Sequence, residues 1–169
     1  MDVFEAMQQR HSYRGGFLDK PVPREDLTRI VEAGLKAPSG CNAQTTSFVI
    51  IDYPERMAEL REIIPIKSPA AIACVVDSQP VYKGMSFGIE DCSAAVENML
   101  LAITALGYAS VWLDGQLRGG KGEQIAKLLG VPEGKRVQVL LPVGVPAETG
   151  KQPEKKPFDQ RAWFNSYEG

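Results

Sequence analysis

The sequence predicts a single α+β domain in which helices alternate with buried strands. The chain has 169 residues, enough for one domain that buries roughly 70% of the surface of its unfolded chain. Segments with apolar residues at helical spacing alternate with short apolar runs, which are typical of buried strands. The sequence contains no internal repeat, low-complexity stretch or domain linker. We therefore expect one domain over residues 1–169, with residues 148–169 as a C-terminal extension.

Apolar spacing and helix-ending residues define the predicted helices. Pro23 precedes the second helix and Pro38 follows it, as is typical of prolines at the two ends of a helix. Pro54 lies in the first turn of the third helix, and Gly130 follows the fifth. The predicted helices cover residues 2–9, 24–36, 54–64, 89–106 and 121–129.

Short apolar runs predict the strands. These cover residues 47–52, 71–77, 108–113 and 137–143. Pro142 lies within the last run and cannot donate a backbone hydrogen bond, so we expect a sheet edge or a bulge there. The polar, glycine-containing residues 78–88 are a candidate lid over a pocket.

The fourth predicted helix is apolar on nearly all sides. Such a helix has to be enclosed, and a domain of this size has difficulty enclosing a helix this long completely. A second subunit covering one side is the economical solution, and the alternative is a central helix in a monomeric core. We therefore expect a homodimer, with internal partners for the polar residues Asn98 and Thr104. Four aromatic residues of the C-terminal extension are also expected to dock on the partner subunit. These are Phe158, Trp163, Phe164 and Tyr167.

The charge of the chain excludes some partners. The net charge is −2, which gives no basic surface of the kind that binds nucleic acids or membranes. The first residues lack the basic and apolar regions of a signal peptide. The longest nearly apolar run, residues 99–113, is too short to span a bilayer. We expect a cytoplasmic protein with neither a nucleic-acid nor a membrane partner.

Cysteine and histidine usage argues against a metal site. The three cysteines, Cys41, Cys74 and Cys92, have no CxxC spacing and form an odd count, which also argues against a disulfide framework. His11 is the only histidine, so a site built on several imidazoles is excluded. Cys74 and Cys92 are expected in the core, whereas Cys41 lies in a loop where a functional thiol is conceivable.

The pentad Arg10-His11-Ser12-Tyr13-Arg14 concentrates hydrogen-bond donors just after the first helix. Arginine binds phosphate through a planar fork of N–H groups, and serine adds a neutral donor of short reach. In an extended segment, Arg10, Ser12 and Arg14 point to the same side and could converge on one anion. The alternative is a solvated basic turn that complements the helix dipole.

A second motif, residues 37–44, follows the second helix. It reads Ala-Pro-Ser-Gly-Cys-Asn-Ala-Gln and combines small residues with two amides, Asn42 and Gln44. Small residues let the backbone approach a ligand, and amides can both donate to and accept from the edge of a flat heterocycle. The alternative is an ordinary turn between a helix and a strand.

Together these motifs resemble the FMN-dependent nitroreductase family. The resemblance is most specific over residues 10–51, where the pentad is followed by Lys20-Pro21-Val22-Pro23 and by the second motif. It continues through the fourth helix with Gly107-Tyr108 and ends at residues 129–144. The resemblance implies a three-layer α/β/α sandwich with a mixed, mostly antiparallel central sheet, and a long buried helix at a dimer interface.

The resemblance also implies a set of FMN-binding residues. Arg10, His11, Ser12 and Arg14 would contact the phosphate, the ribityl chain and the pyrimidine edge, with Arg14 tuning the flavin. The second motif would approach the same flavin from the partner subunit through Pro38, Ser39, Gly40, Asn42 and Gln44. Gly115 would present its N–H to the flavin N5 region, and Lys155 or Lys156 would close on the phosphate.

The implied activity is an NAD(P)H-dependent, two-electron reduction of nitroaromatics, quinones or similar acceptors by a ping-pong mechanism. FMN carries the chemistry in such a protein, so no catalytic side chain is required. No GxGxxG motif follows a predicted strand, so NADH or NADPH would bind only transiently. Two alternatives remain: a specialised FMN-binding relative that modifies flavin or removes halogens, and a flavin-free dimer that binds another anion.

Overall fold

The computed structural model describes residues 1–77, 79–80 and 82–167. Its α-helices are α1 (Val3–Gln9), α2 (Arg24–Leu35), α3 (Pro54–Ile63), α4 (Gly88–Ala105) and α5 (Lys121–Leu128). Its strands are β1 (Thr46–Ile51), β2 (Ala70–Asp77) and β3 (Lys135–Val143). These elements lie within two residues of the predicted ends, so the alternation of helices and strands is confirmed.

The candidate lid between β2 and α4 contains a tight turn. Tyr82 and Met85 exchange backbone hydrogen bonds of 3.3 and 2.7 Å. Ser78 and Val81 of the predicted lid lie outside the described residues. The turn leads into Phe87, whose ring packs against the backbone of Gly40. This segment therefore contacts the second motif.

The three strands form an antiparallel sheet in the order β1-β2-β3. Ile72 in the middle strand pairs with Ile50 on one side and with Leu141 on the other. On the other side of β3, Leu113 forms an antiparallel bridge with Leu140 of β3, and Ala109 forms one with Gly144, the residue after β3. The pentad joins this edge through a parallel bridge between residues 12 and 110. The sheet is therefore mixed and mostly antiparallel, as expected.

The predicted strand at residues 108–113 is present only as two separate bridges. Leu113 exchanges two backbone hydrogen bonds with Leu140, and Ala109 exchanges two with Gly144. Pro142 lies midway between these two points on β3 and has no N–H to donate, so a continuous ladder cannot form. The proline marks a break in pairing inside the sheet rather than its edge.

The sheet separates two apolar cores. Side chains of β2 alternate between the faces, with Ile72, Cys74 and Val76 on one side and Ala71, Ala73 and Val75 on the other. The first face packs against α2 and α4, and the second packs against α3 and α5. The structure is therefore the expected three-layer α/β/α sandwich.

The long helix α4 is not fully enclosed within this chain. Met99 and Ile103 are fully buried against the sheet, whereas Leu101 is only partly covered and Ala105 is exposed. The polar residue Asn98 donates to the Ala33 carbonyl oxygen at 3.1 Å. Among the described residues, no helix combines the length and hydrophobicity that a membrane span requires.

A buried carboxylate joins α4 to the second motif. Asp91 lies in the first turn of α4 and is 4% exposed. It accepts hydrogen bonds from the Gly40 N–H at 2.8 Å and from the Thr45 hydroxyl at 2.7 Å. The N-terminal turn of a helix favours a negative charge, because its N–H groups have no partners within the helix. Asp91 therefore fixes the loop between α2 and β1.

We expect Asp91→Ala to lower the free energy of unfolding by about 2–3 kcal/mol, because two inward-facing donors would lose their acceptor. Urea unfolding at matched protein concentrations measures this loss. Glu90→Ala is the control, since Glu90 is the exposed acid next to Asp91 in the same turn. The control should lose no more than about 0.5 kcal/mol. Equal losses in the two variants would contradict the anchoring role of Asp91.

Candidate functional site

The pentad leaves α1 as an extended segment at the edge of the sheet. A capping box between Asp2 and Glu5 starts α1, and the chain turns to extended geometry at Arg10. Tyr13 then donates its N–H to the Ser110 carbonyl oxygen at 2.9 Å. Along this segment Tyr13 is buried, whereas the side chains of Ser12 and Arg14 are exposed. The alternating orientation expected from the sequence is thus visible on either side of Tyr13.

The first part of the C-terminal extension packs on the pentad of its own chain. The Glu148 N–H donates to the Tyr13 hydroxyl at 3.3 Å. Further on, the Gln152 side chain donates to the carbonyl oxygens of Arg10 at 2.6 Å and Met7 at 3.1 Å. Between these contacts, Gly150 lies so close to His11 that a Cβ atom would come within 2.1 Å of Nε2. Only glycine allows this approach.

These segments and the end of α4 surround a cavity of about 390 Å³, which we call the pentad cavity. Its polar lining includes Arg10, His11, Tyr108, Ser110 and Lys151, together with glutamine and threonine side chains. Arg10 and Lys151 supply positive charge, and the other three supply further hydrogen-bonding groups. The structure therefore brings two members of the pentad together with residues that are far away in sequence.

Two buried polar atoms at the pentad cavity have no hydrogen-bond partner among the described residues. They are Nε2 of His11 and Oγ of Ser110. Nδ1 of His11 lies 3.0 Å from the Gln9 carbonyl oxygen, which can only accept a hydrogen bond, so Nδ1 is the donor of this pair and Nε2 is left without a partner in the described part of the chain. A buried polar atom without a partner is costly, which favours a ligand or water with hydroxyl groups at this position.

Tyr108 adds no negative charge to the pentad cavity. Its hydroxyl donates to Oδ2 of Asp26 at 2.7 Å. Partial burial and this hydrogen bond raise the pKa of Tyr108 to about 12. The phenol therefore stays neutral at physiological pH.

Arg10 also has an acidic neighbour on α4. Its Nε lies 3.5 Å from Oε1 of Glu97. The Arg10 side chain is 19% exposed and that of Glu97 is 52% exposed. The separation exceeds that of a good charge-assisted hydrogen bond, about 2.7–2.9 Å, so the pair is a loose charge contact.

Arg14 lies at a different cavity, of about 180 Å³. Lys67 and Gln116 share this lining with Arg14, which forms no ion pair with any described residue. The sequence prediction missed Lys67. A lysine shortly before a buried strand was the available signal, but only the fold places it beside Arg14.

Three other predicted residues lie outside both cavities. Ser12, Lys155 and Lys156 are exposed and line neither one. Gly115 is also exposed, and its N–H donates to Oδ1 of Asp114 at 2.5 Å. The contacts of these four residues with a flavin stay predictions. For Gly115, the N–H would have to leave Asp114 before it could donate to the flavin.

The second motif has an unusual backbone. Cys41, Asn42 and Gln44 all have positive φ angles, between 51° and 53°. This left-handed conformation is uncommon for residues other than glycine and is often found at ligand sites. Ser39 supports the loop, since its hydroxyl oxygen accepts the Gln44 N–H at 3.1 Å. Pro38 is exposed and Gly40 is partly buried.

The second motif lines neither cavity of its own chain. Asn42 and Gln44, which carry the two amides, are instead exposed to solvent. This placement leaves the motif accessible to the site of a second copy, where the family resemblance implies that it contributes.

The donors present suit FMN. A ribityl phosphate combines hydroxyl groups with an anion, and the pentad cavity offers two cations, an unpartnered imidazole nitrogen and an unpartnered hydroxyl. The cations Arg14 and Lys67 at the second cavity suit a ring that becomes negatively charged on reduction. The residues therefore fit the cofactor in charge and in hydrogen-bonding character.

The comparisons with known proteins agree on one family. The chain matches the nitroreductase family over residues 7–79 and 69–145. A relative from Methanothermobacter thermautotrophicus, named an NADH dehydrogenase/NAD(P)H nitroreductase, is 32% identical over 153 residues. The alignment covers 88% of this chain and 79% of the relative.

Two solved structures share the fold. The crystal structure of a protein from Parabacteroides distasonis, also named an NADH dehydrogenase/NAD(P)H nitroreductase, is 26% identical with a TM-score of 0.84, covering 98% of both chains. An NADPH:FMN oxidoreductase from Vibrio harveyi, complexed with NAD+, is 22% identical with a TM-score of 0.83, covering 99% of this chain and 78% of that one. The chain therefore belongs to the nitroreductase family of oxidoreductases.

Proposed function

We propose that this protein binds FMN and uses NADH or NADPH to reduce small acceptors, with nitroaromatics and quinones as the expected assay substrates. The observation that carries the proposal is the pentad cavity, where positive charge adjoins the unpartnered polar atoms of His11 and Ser110. Membership of the nitroreductase family and the name of the archaeal relative support the use of NAD(P)H.

The cofactor would be held by residues from two subunits. Arg10, His11 and Ser12 would bind the phosphate and ribityl chain, with Lys155 or Lys156 closing on the phosphate. Arg14 and Lys67 would lie at the pyrimidine edge, and Gly115 near N5. The partner subunit would contribute the second motif, through Pro38, Ser39, Gly40, Asn42 and Gln44.

Bound FMN would supply two-electron redox chemistry, taking a hydride from the coenzyme and passing electrons to the acceptor. The protein would bind and orient both substrates in turn at one open face. Arg14 and Lys67 would stabilise the negative charge that a flavin ring gains on reduction. No protein nucleophile is needed for this sequence of events.

The exposed apolar surface supports the proposal of a homodimer. On α1, Val3, Phe4 and Met7 are 52%, 72% and 47% exposed. Val3 also lines a shallow groove of about 270 Å³ between α1 and α4, together with Leu101 and Ala105. Contiguous apolar surface of this kind is typical of protein interfaces. The aromatic residues of the extension would add to it, since Phe164 and Tyr167 are about 80% exposed.

Anaerobic titration of the FMN-loaded protein with NADH and with NADPH tests the proposed activity. We expect stoichiometric loss of the visible flavin band with at least one coenzyme. In steady-state assays with a quinone, varying both substrates should give parallel double-reciprocal lines, because the oxidised coenzyme leaves before the acceptor binds. A protein that binds FMN without being reduced by either coenzyme would contradict the reductase proposal and favour a specialised FMN-binding function.

Replacing Arg14 tests its role in tuning the flavin. We expect Arg14→Met to lower the two-electron midpoint potential of bound FMN by about 30 mV, which corresponds to about 1.4 kcal/mol. Removing a positive charge near the ring makes reduction less favourable. Spectroelectrochemistry measures the shift, with Arg56→Met on the exposed surface of α3 as the control. An unchanged potential in Arg14→Met would place Arg14 away from the ring.

Introducing a charge on α1 tests the homodimer. We expect Phe4→Asp to convert a dimer to a monomer in sedimentation velocity, because it buries an unpaired carboxylate at the proposed interface. FMN affinity should fall in parallel, since each site would need the partner's second motif. Tyr53→Asp, at an exposed position before α3, is the control. Unaltered sedimentation of Phe4→Asp would exclude α1 from the interface.

A further inference from the structure

The contact between Arg10 and Glu97 places a carboxylate beside the arginine proposed to bind the FMN phosphate. The Gln152 side chain donates to the Arg10 carbonyl oxygen and so holds the Arg10 backbone in place. This contact does not involve the guanidinium group, which remains available to bind an anion. The guanidinium has only a loose contact with Glu97, at 3.5 Å. Glu97 is about half exposed, so its carboxylate can return to water when Arg10 takes another anion.

We propose that Glu97 and the phosphate of FMN compete for Arg10, and that Glu97 thereby makes FMN an exchangeable ligand. The inference rests on the proposed function, because it takes FMN as the anion at the pentad cavity. It goes beyond that function by naming a residue that sets the affinity for the phosphate.

The physical reason is that two anions share one cation. A phosphate monoester carries a charge between −1.5 and −2 at neutral pH and makes shorter, better aligned hydrogen bonds to arginine than the loose carboxylate contact allows. Binding therefore replaces the Glu97 contact and brings the phosphate close to the displaced carboxylate. The lost contact and the like-charge repulsion both weaken FMN binding.

The neutral isostere tests this competition. We expect Glu97→Gln to lower the dissociation constant of FMN by roughly two- to fivefold, the range expected for a partly exposed charge pair. Binding is measured by flavin fluorescence with the apoprotein at fixed ionic strength. Riboflavin, which lacks the phosphate, should bind to Glu97→Gln and to the unaltered protein with the same affinity.

Two further variants make the result specific. Glu90→Gln removes one negative charge from an exposed position near the start of the same helix and should change neither dissociation constant. Arg10→Gln should weaken FMN binding, and in that background Glu97→Gln should give at most a small gain. Retention of FMN on gel filtration should be greater for Glu97→Gln than for the unaltered protein.

Each outcome distinguishes this inference from the proposed function. Tighter binding of FMN alone in Glu97→Gln supports the competition. Unchanged FMN binding, or an equal gain for FMN and riboflavin, overturns it while leaving the proposed function intact. Failure of all the proteins to bind FMN overturns the proposed function and this inference with it.

Discussion

The hydrogen bond from the Tyr13 N–H to the Ser110 carbonyl oxygen fixes the geometry of the whole site. It attaches the pentad to the edge of the sheet and so decides which side chains face outward. Tyr13 becomes the buried anchor, and its hydroxyl both donates to the Gly16 carbonyl oxygen and accepts the N–H of Glu148. The arginines on either side of this anchor consequently reach two separate cavities rather than one.

The separation of the two arginines places the positive charges of the pentad at two different cavities. Arg10 is partly buried and has Glu97 as a neighbour, so its field is partly neutralised in the free protein. Arg14 is exposed and shares its cavity with another cation, Lys67. A site with one compensated and one uncompensated cation suits a ligand with a permanent anion at one end and a charge that appears only on reduction at the other.

The regular elements were predictable from the sequence because periodicity and helix-ending residues act locally. Pro23, Pro54 and Gly130 mark the ends of helices, and the apolar runs of β2 and β3 can only be buried. The strand at residues 108–113 was overestimated, because its pairing depends on Pro142 in a neighbouring segment. The site was only partly predictable for a related reason: Lys67, Ser110 and Gln152 are ordinary polar residues until the fold brings them to the pentad.

The close contact between Gly150 and His11 limits how far the C-terminal extension can stretch from its own subunit. Residues 148–152 are held against their own subunit by these contacts, so a contact of the extension with a second copy would begin only from residue 153 onward. Fully stretched, residues 153–167 span at most about 50 Å. A bulkier residue at position 150 would collide with His11 and shift the position from which residues 153–167 extend. The span of those residues would then be shortened or redirected. In the proposed homodimer, the absence of a side chain at position 150 would thus set how far the extension of one subunit reaches along the other.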